Sequence, residues 1–170
     1  AAGGVGSFAV QLAKAFGAEV TGVCSTTKVD LVRSIGADEV IDYTREDFAD
    51  GARHWDLIVD TAGRRSLSQL RRALAPRGTL VIVGGEGGGR WLGGFDRLIL
   101  RAPVVSAFSR QRLRPLVSKE RSEDLVVLKE LIEAGKVTPV IDRTYPLREA
   151  PEAIRYLEEG HARGKVVIRV

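Results

Sequence analysis

Stretches with a helical spacing of apolar residues alternate along the chain with short β-branched and aliphatic runs. From Gly6 to Phe16 the apolar positions Phe8, Ala9, Leu12, Ala13 and Phe16 recur three and four apart, which predicts a helix stopped by Gly17. Glu19 to Cys24 reads as a strand. Lys28 to Ile35 returns to helical spacing through Val29, Leu31, Val32 and Ile35, and Glu39 to Tyr43 has strand character again. Asp56 to Thr61 and Thr79 to Val83 are continuous apolar runs of the kind found in strands buried on both faces; the helical stretch Ser66 to Leu74 and the turn Pro76-Arg77-Gly78 separate them. Beyond the glycine cluster Gly84 to Gly89, a short helix over Trp91 to Leu100 leads to an expected sixth strand at Val104 to Phe108. Ser122 to Ala134, with Ser122 as N-cap and Glu123 and Asp124 in the first turn, predicts an amphipathic helix whose apolar face is Leu125, Val126, Leu128, Leu131 and Ile132. A further helix over Ala150 to Glu159 precedes a strand at Val166 to Val170. Repeated strand, helix, strand implies an α/β fold with a doubly wound parallel sheet and right-handed crossovers.

Composition narrows the function classes. The 170 residues, 44% of them hydrophobic, suffice for one compact core. Apolar runs such as Leu80 to Val83 fall far short of the roughly 20 residues that span a bilayer, so no membrane partner is expected. The single cysteine, Cys24, excludes an internal disulfide and a multi-cysteine zinc site within this segment; a reducing cytoplasm is the simplest setting, and Cys24 is expected to be a buried small hydrophobe. The net charge is +4, but the basic residues are scattered among 22 acidic ones, so no nucleic-acid partner is expected either. His54 and His161 have no partner pattern around them and read as surface residues.

The chemistry is carried by the opening hexamer, AAGGVG at Ala1 to Gly6. A helix follows it, a strand follows the helix, and the unit repeats, which is the setting of a dinucleotide-binding glycine turn. In such a turn Gly3 and Gly4 let the backbone approach a pyrophosphate, Gly6 permits close packing of the helix, and the free N–H groups at the helix start bind the anion. The strand that normally precedes the turn is not in the sequence, so the expected fold is a Rossmann domain truncated before its first strand. The end of the second strand selects the cofactor. An NAD site places a carboxylate about 20 residues past the glycines. Here the segment is Cys24-Ser25-Thr26-Thr27-Lys28, with no carboxylate until Asp30, so Ser25, Thr26 and Lys28 are suited to a ribose 2′-phosphate and the expected cofactor is NADPH. Ser25 and Thr26 also suit a plain helix cap.

The blocks AAGGVGSFAVQLAKAFGAEVTGVCST, GADEVIDY at Gly36 to Tyr43, DTAG at Asp60 to Gly63 and GHARGKVVI at Gly160 to Ile168 resemble the medium-chain dehydrogenase/reductase superfamily, in particular its zinc-independent quinone oxidoreductase branch. The resemblance covers the whole chain. It implies an NADP-binding Rossmann domain over residues 1–140, and a C-terminal helix and strand over residues 141–170 that return to a catalytic domain absent from this sequence. By the same resemblance, Gly3, Gly4, Val5 and Gly6 line the pyrophosphate, and Ser25, Lys28 and Tyr43 surround the 2′-phosphate. Thr61 and Ala62 border the cofactor; Val83, Gly84 and Gly85, and after the next strand Phe108 and Ser109, lie beside the nicotinamide ribose; Lys165 reaches the cofactor from the C-terminal strand. Tyr43, Lys165 and Phe108 are equally readable as a half-buried strand residue, a solvated edge charge and plain core.

The implied activity is hydride transfer from NADPH to a quinone or another electron-poor enone or aldehyde, in a homodimer joined through the sixth strand. No residue of the chain is assigned as catalytic or as a metal ligand. The glycine-rich loop Gly84 to Gly94, carrying Trp91, is placed to border the substrate cleft. Two other readings stay open: a zinc-dependent alcohol dehydrogenase whose metal ligands lie upstream, and a protein that binds NADPH without turnover.

Overall fold

A computed structural model describes residues 1–84, 102–117 and 119–170. Gly85, most of the glycine-rich loop with Trp91, and the helix expected over Trp91 to Leu100 lie outside the described residues. In chain order the elements are α1 (Gly3–Ala15), β1 (Thr21–Cys24), a 3₁₀ turn (Thr26–Lys28), α2 (Val29–Ser34), β2 (Glu39–Asp42), β3 (Trp55–Asp60), α3 (Leu67–Ala73) and β4 (Leu74–Ile82). Then come α4 (residues 102–107), β5 (Arg112–Pro115), α5 (Ser122–Glu133), β6 (Ile141–Pro146), a 3₁₀ turn (Leu147–Glu149), α6 (Ala150–Glu158) and β7 (Lys165–Arg169). All strand pairs are parallel, in sheets ordered β1-β2, β3-β4-β5 and β6-β7. The α/β class with parallel strands is the expected one.

The chain forms two units. The first comprises Ala1–Glu46 and Glu120–Val170. Its β1 pairs with β2 in the register Thr21 with Glu39 through Cys24 with Asp42, which sets the ends of the two strands side by side. Gly22 lies where α2 crosses β1: a Cβ there would overlap Cγ1 of the fully buried Val32. Gln11, buried on α1, donates to the Thr138 carbonyl at 3.0 Å and accepts from the Thr138 N–H at 2.7 Å, tying α1 to the approach to β6. Cys24 is buried, as expected, and burial pushes its thiol up, so it is an apolar filler rather than a nucleophile. By contrast, α5 buries none of its residues; Leu125, Val126 and Ile132 of its apolar face are exposed. Its N-cap is Arg121, and Ser122 is already helical.

The second unit is Asp47–Lys119. Leu70, Leu74, Leu80, Ile82, Ala102 and Leu113 form its core, with Phe48, Ile58, Leu67 and Val105 packed against them. Ser66 caps α3 in a reciprocal arrangement with Gln69. Three expectations are corrected here. Val104 to Phe108 is not a strand: residues 102–107 are helical, with Pro103 in the first turn, where its fixed φ suits a helix. Ala102 and Val105, three apart, reach the core, while Val104 and Phe108 are exposed. The strand falls instead at Arg112–Pro115. Pro76-Arg77-Gly78 is no turn between elements but an irregularity inside β4, where the register jumps from Trp55 with Leu74 to Leu57 with Thr79. Finally, β3 is not buried on both faces, since Leu57 and Val59 are exposed while Ile58 packs inward.

The contact at Gly22 gives a stability test. Gly22→Ala forces a methyl group against Val32 and is expected to destabilise the protein by about 1–3 kcal/mol in denaturant melts, whereas Gly51→Asn, at a left-handed position with open space around it, is expected to stay within about 1 kcal/mol.

Candidate functional site

The start of α1 leaves its leading backbone N–H groups open. Its N-cap, Ala2, provides no side-chain acceptor, and no acidic residue stands in the first turn, so the leading N–H groups have no side-chain cap. Gly3 has φ +93°, which only glycine adopts without strain. A Cβ on Gly6 would stand 2.6 Å from the Ala1 carbonyl group, so the helix can pass the incoming backbone this closely only without a side chain. Val5 is exposed beside them. The Lys165 ammonium lies 3.4 Å from the position of a Cβ on Gly4 and 5.3 Å from the Phe8 ring centre, over the same turn. The structure thus brings Gly3, Gly4, Val5, Gly6 and Lys165 together.

The C-terminal ends of β1 and β2 gather the second group. Ser25 leads the Thr26–Lys28 turn without capping it through its side chain, and Tyr43, 45% exposed, donates its backbone N–H to the Cys24 carbonyl at 3.0 Å. Lys28 Nζ donates to the Ala162 carbonyl at 3.1 Å, and Arg163 Nη2 donates to the Thr27 carbonyl at 2.8 Å. Ser25, Thr26, Lys28 and Tyr43 are therefore neighbours, joined by Arg163, which sequence reasoning missed because only the tertiary return of the chain brings it there.

Asp42 was missed as well. The parallel register sets it opposite Cys24, so a carboxylate does stand at this strand end. It is 9% exposed and fully engaged: Oδ2 accepts from Thr26 Oγ1 at 2.6 Å, while Oδ1 accepts from Thr44 N–H at 3.0 Å and Thr44 Oγ1 at 2.8 Å. Chiefly the Thr26 hydrogen bond, helped by Thr44 and Arg45 against the opposing effect of burial, holds its carboxyl below the usual range. Thr26 has one hydroxyl proton and gives it to Asp42, so Thr26 has none left to donate to a phosphate.

In the second unit, Thr61 and Ala62 follow β3 in a turn held by Asp60, whose Oδ1 accepts from Ala62 N–H at 3.2 Å and Gly63 N–H at 3.0 Å. Val83 donates its N–H to the Asp60 carbonyl at 2.9 Å, and a Cβ on Gly84 would lie 3.5 Å from the Thr61 carbonyl. Thr61, Ala62, Val83 and Gly84 thus meet at the C-terminal ends of β3 and β4. Asp60 Oδ2 is buried there without a hydrogen-bond partner. Phe108 and Ser109 do not join them. Ser109 Oγ accepts from Gln111 N–H at 3.1 Å, and Gln111 in turn donates to the carbonyls of Arg71 and Leu74, where α3 ends and β4 begins, at the other end of the sheet. The residues that follow the last strand on the correct side are Leu116, whose N–H donates to the Ile82 carbonyl at 2.8 Å, and Val117, both exposed. The alternation Arg112-Leu113-Arg114 was the overlooked signal.

Among the described residues no group of three or more His, Cys, Asp or Glu is placed to hold a metal ion, and no helix is long and apolar enough to cross a membrane.

Residues 35–168 match the family described as zinc-binding dehydrogenase. The chain belongs to the zinc-binding dehydrogenase family. This family lies within the medium-chain dehydrogenase/reductase superfamily that the motifs resemble. The chain is 37% identical to the mouse mitochondrial NAD(P)H oxidoreductase RTN4IP1, matching all of this chain and 46% of that protein. It is 36% identical to the chloroplastic NADPH-dependent alkenal/one oxidoreductase of Arabidopsis thaliana, over 98% of this chain and 38% of that protein. The quinone oxidoreductase structure from Coxiella burnetii superimposes with a TM-score of 0.81 at 30% identity, over 99% of this chain and 50% of that one. The chain therefore spans about half the length, or less, of the relatives it matches.

The Asp42 network carries a pH signature. A carboxylate whose folded pKa lies below its unfolded value stabilises the fold above the unfolded pKa of about 3.9, and that contribution disappears as pH falls through the folded value. Thr26→Val removes the largest cause of the depression, so denaturant melts from pH 7 to pH 2.5 are expected to show a smaller acid loss than in wild type. Equal losses in both proteins would contradict this assignment.

Proposed function

We infer that this chain is the cofactor-binding part of an NADPH-dependent oxidoreductase that delivers a hydride to a quinone or another electron-poor enone or aldehyde. The observation that carries the reading is the pair of cations at the Thr26–Lys28 turn. The Lys28 ammonium and the Arg163 guanidinium both sit there, and the carboxylate at the end of β2, Asp42, has its oxygens engaged by Thr26 and Thr44. A 2′-phosphate meets positive charge at such a turn, whereas the engaged Asp42 carboxylate is not offered to a lone ribose hydroxyl.

The residues fit the group. The uncapped N–H groups of Gly3, Gly4 and Val5, with the side-chain-free Gly6 behind them and Lys165 beside them, suit a pyrophosphate, and Ser25, Lys28, Tyr43 and Arg163 suit the phosphorylated ribose. Thr61, Ala62, Val83 and Gly84 offer backbone groups at strand ends for the nicotinamide half, and the orphaned Asp60 Oδ2 suits a donor such as a sugar hydroxyl. When bound, the cofactor supplies the hydride; the protein's part is to orient it and exclude water. Residues 1–140 are read as the cofactor-binding domain and 141–170 as the segment that joins the catalytic part. The family description favours one other reading, a zinc-dependent alcohol dehydrogenase with ligands outside this chain, and metal analysis of the intact protein separates the two. The setting is read as a reducing compartment, the cytoplasm or an organelle such as those named for the relatives.

Lys28→Ala is expected to lower NADPH affinity about 10- to 150-fold, from the roughly 1.5–3 kcal/mol of a charge-assisted contact, with little change for NADH. Adding Ser25→Asp is expected to reverse the preference. Fluorescence titration of both cofactors into the intact protein checks this; equal losses would make Lys28 structural, and a wild type that prefers NADH would overturn the reading. A homodimer is read through the outer edge of β5 and not through Val104–Phe108, which is not a strand, since β5 pairs only with β4 among the described residues. Sedimentation of the intact protein is expected to give a dimer.

A further inference from the structure

The loop between α6 and β7 is anchored by a carboxylate that the cofactor reading leaves without a role. Asp142, on β6, accepts two hydrogen bonds at the single oxygen Oδ2: the Tyr156 hydroxyl donates at 2.6 Å and the Arg163 backbone N–H at 2.8 Å. Burial acts to raise this carboxyl, but the two donors and the charges of Arg143 and Arg163 hold it below the usual range, so both bonds are charge-assisted at neutral pH. The Arg143 guanidinium lies 4.0 Å from the Tyr156 ring centre and donates to the Tyr145 hydroxyl at 3.4 Å, which fixes the ring that presents the hydroxyl.

From this anchor the chain runs directly to the Thr26–Lys28 turn. The residue whose N–H is held by Asp142 is the one whose guanidinium reaches the Thr27 carbonyl, and the carbonyl just before it, of Ala162, receives the Lys28 ammonium. On the other side Lys165 donates its N–H to the Val140 carbonyl at 2.7 Å and carries its ammonium over the glycine turn. The backbone position of residue 163 therefore sets where both cations stand.

We propose that Asp142 and Tyr156 are positioning residues for cofactor selectivity: they hold Ala162 and Arg163 at the Thr26–Lys28 turn and so place Arg163 and Lys28 for the 2′-phosphate of NADPH. The proposal rests on the NADPH reading above. Neither residue is placed among the groups that meet the cofactor, so their effect passes through the loop. A merely structural tie would weaken NADPH and NADH binding alike; a positioning role separates them, because only NADPH carries the phosphate that those cations meet.

The test titrates NADPH and NADH into the intact wild type, Asp142→Ala, Tyr156→Phe and Asp142→Asn, with adenosine 2′,5′-bisphosphate and AMP as matching half-ligands. Asp142→Ala is expected to lower NADPH and bisphosphate affinity about 3- to 30-fold, and Tyr156→Phe by less, while NADH and AMP change less than about twofold. Asp142→Asn, whose amide oxygen still accepts both donors, is expected to recover most of the loss. If Asp142→Ala does not fold, Tyr156→Phe carries the same comparison. Parallel losses for both cofactors, or no loss in any variant, overturn the proposal. A wild type without NADPH preference overturns it together with the reading it rests on, whereas a preference abolished by Lys28→Ala but untouched by Tyr156→Phe overturns this proposal alone.

Discussion

The cofactor end of this protein depends on one constraint: backbone must come where side chains normally stand. At the start of α1 the helix passes within contact distance of the incoming chain only because Gly6 has no Cβ, and the reversal that aims the leading N–H groups needs the left-handed φ of Gly3. Without a capping side chain those groups keep their partial positive charge for an outside ligand. Gly22 repeats the device within β1, where the missing Cβ lets Val32 of α2 settle onto the strand.

Electrostatics at the strand ends follows from the register. Pairing Cys24 with Asp42 brings a carboxylate to the place where a 2′-phosphate is proposed, an arrangement that would be repulsive were it not saturated by the hydroxyls of Thr26 and Thr44. The saturation removes Thr26 from the phosphate-binding set and leaves the task to Ser25, Tyr43 and the two cations. One of those cations, Arg163, arrives more than a hundred residues later in the chain, held by its backbone to Asp142.

The two units use the same logic at different depths. In the second, the turns after β3 and β4 are joined by Val83 to Asp60, and the Asp60 carboxylate stiffens the first of them by accepting two backbone N–H groups. Its other oxygen, buried and unpartnered, is a polar atom of the kind that protein interiors normally satisfy.

Local pattern was enough for most of the elements. The 3.6 period of α1, the β-branched runs of β1 and β2 and the amphipathic stretch of α6 each follow from residues within a dozen positions, as does the helix-start chemistry of the glycine turn. The sequence misled where two periods compete over a few residues: Val104 and Val105 suggest a strand, but Pro103 presets a helical φ and the apolar pair that finds the core, Ala102 and Val105, is spaced by three. Only tertiary structure decided the rest. Whether Phe108 or Leu116 follows the strand paired with β4 depends on which segment makes that pairing, and that Asp42 and Arg163 reach the end of β1, with Asp142 holding the Arg163 backbone, depends on parallel pairing and on a chain return across more than a hundred residues. The sequence by itself determined the uncapped, glycine-rich helix start and the residue types at the end of β1. Which charges surround that end was set by long-range pairing, because hydrogen bonds between distant segments leave no period in the chain.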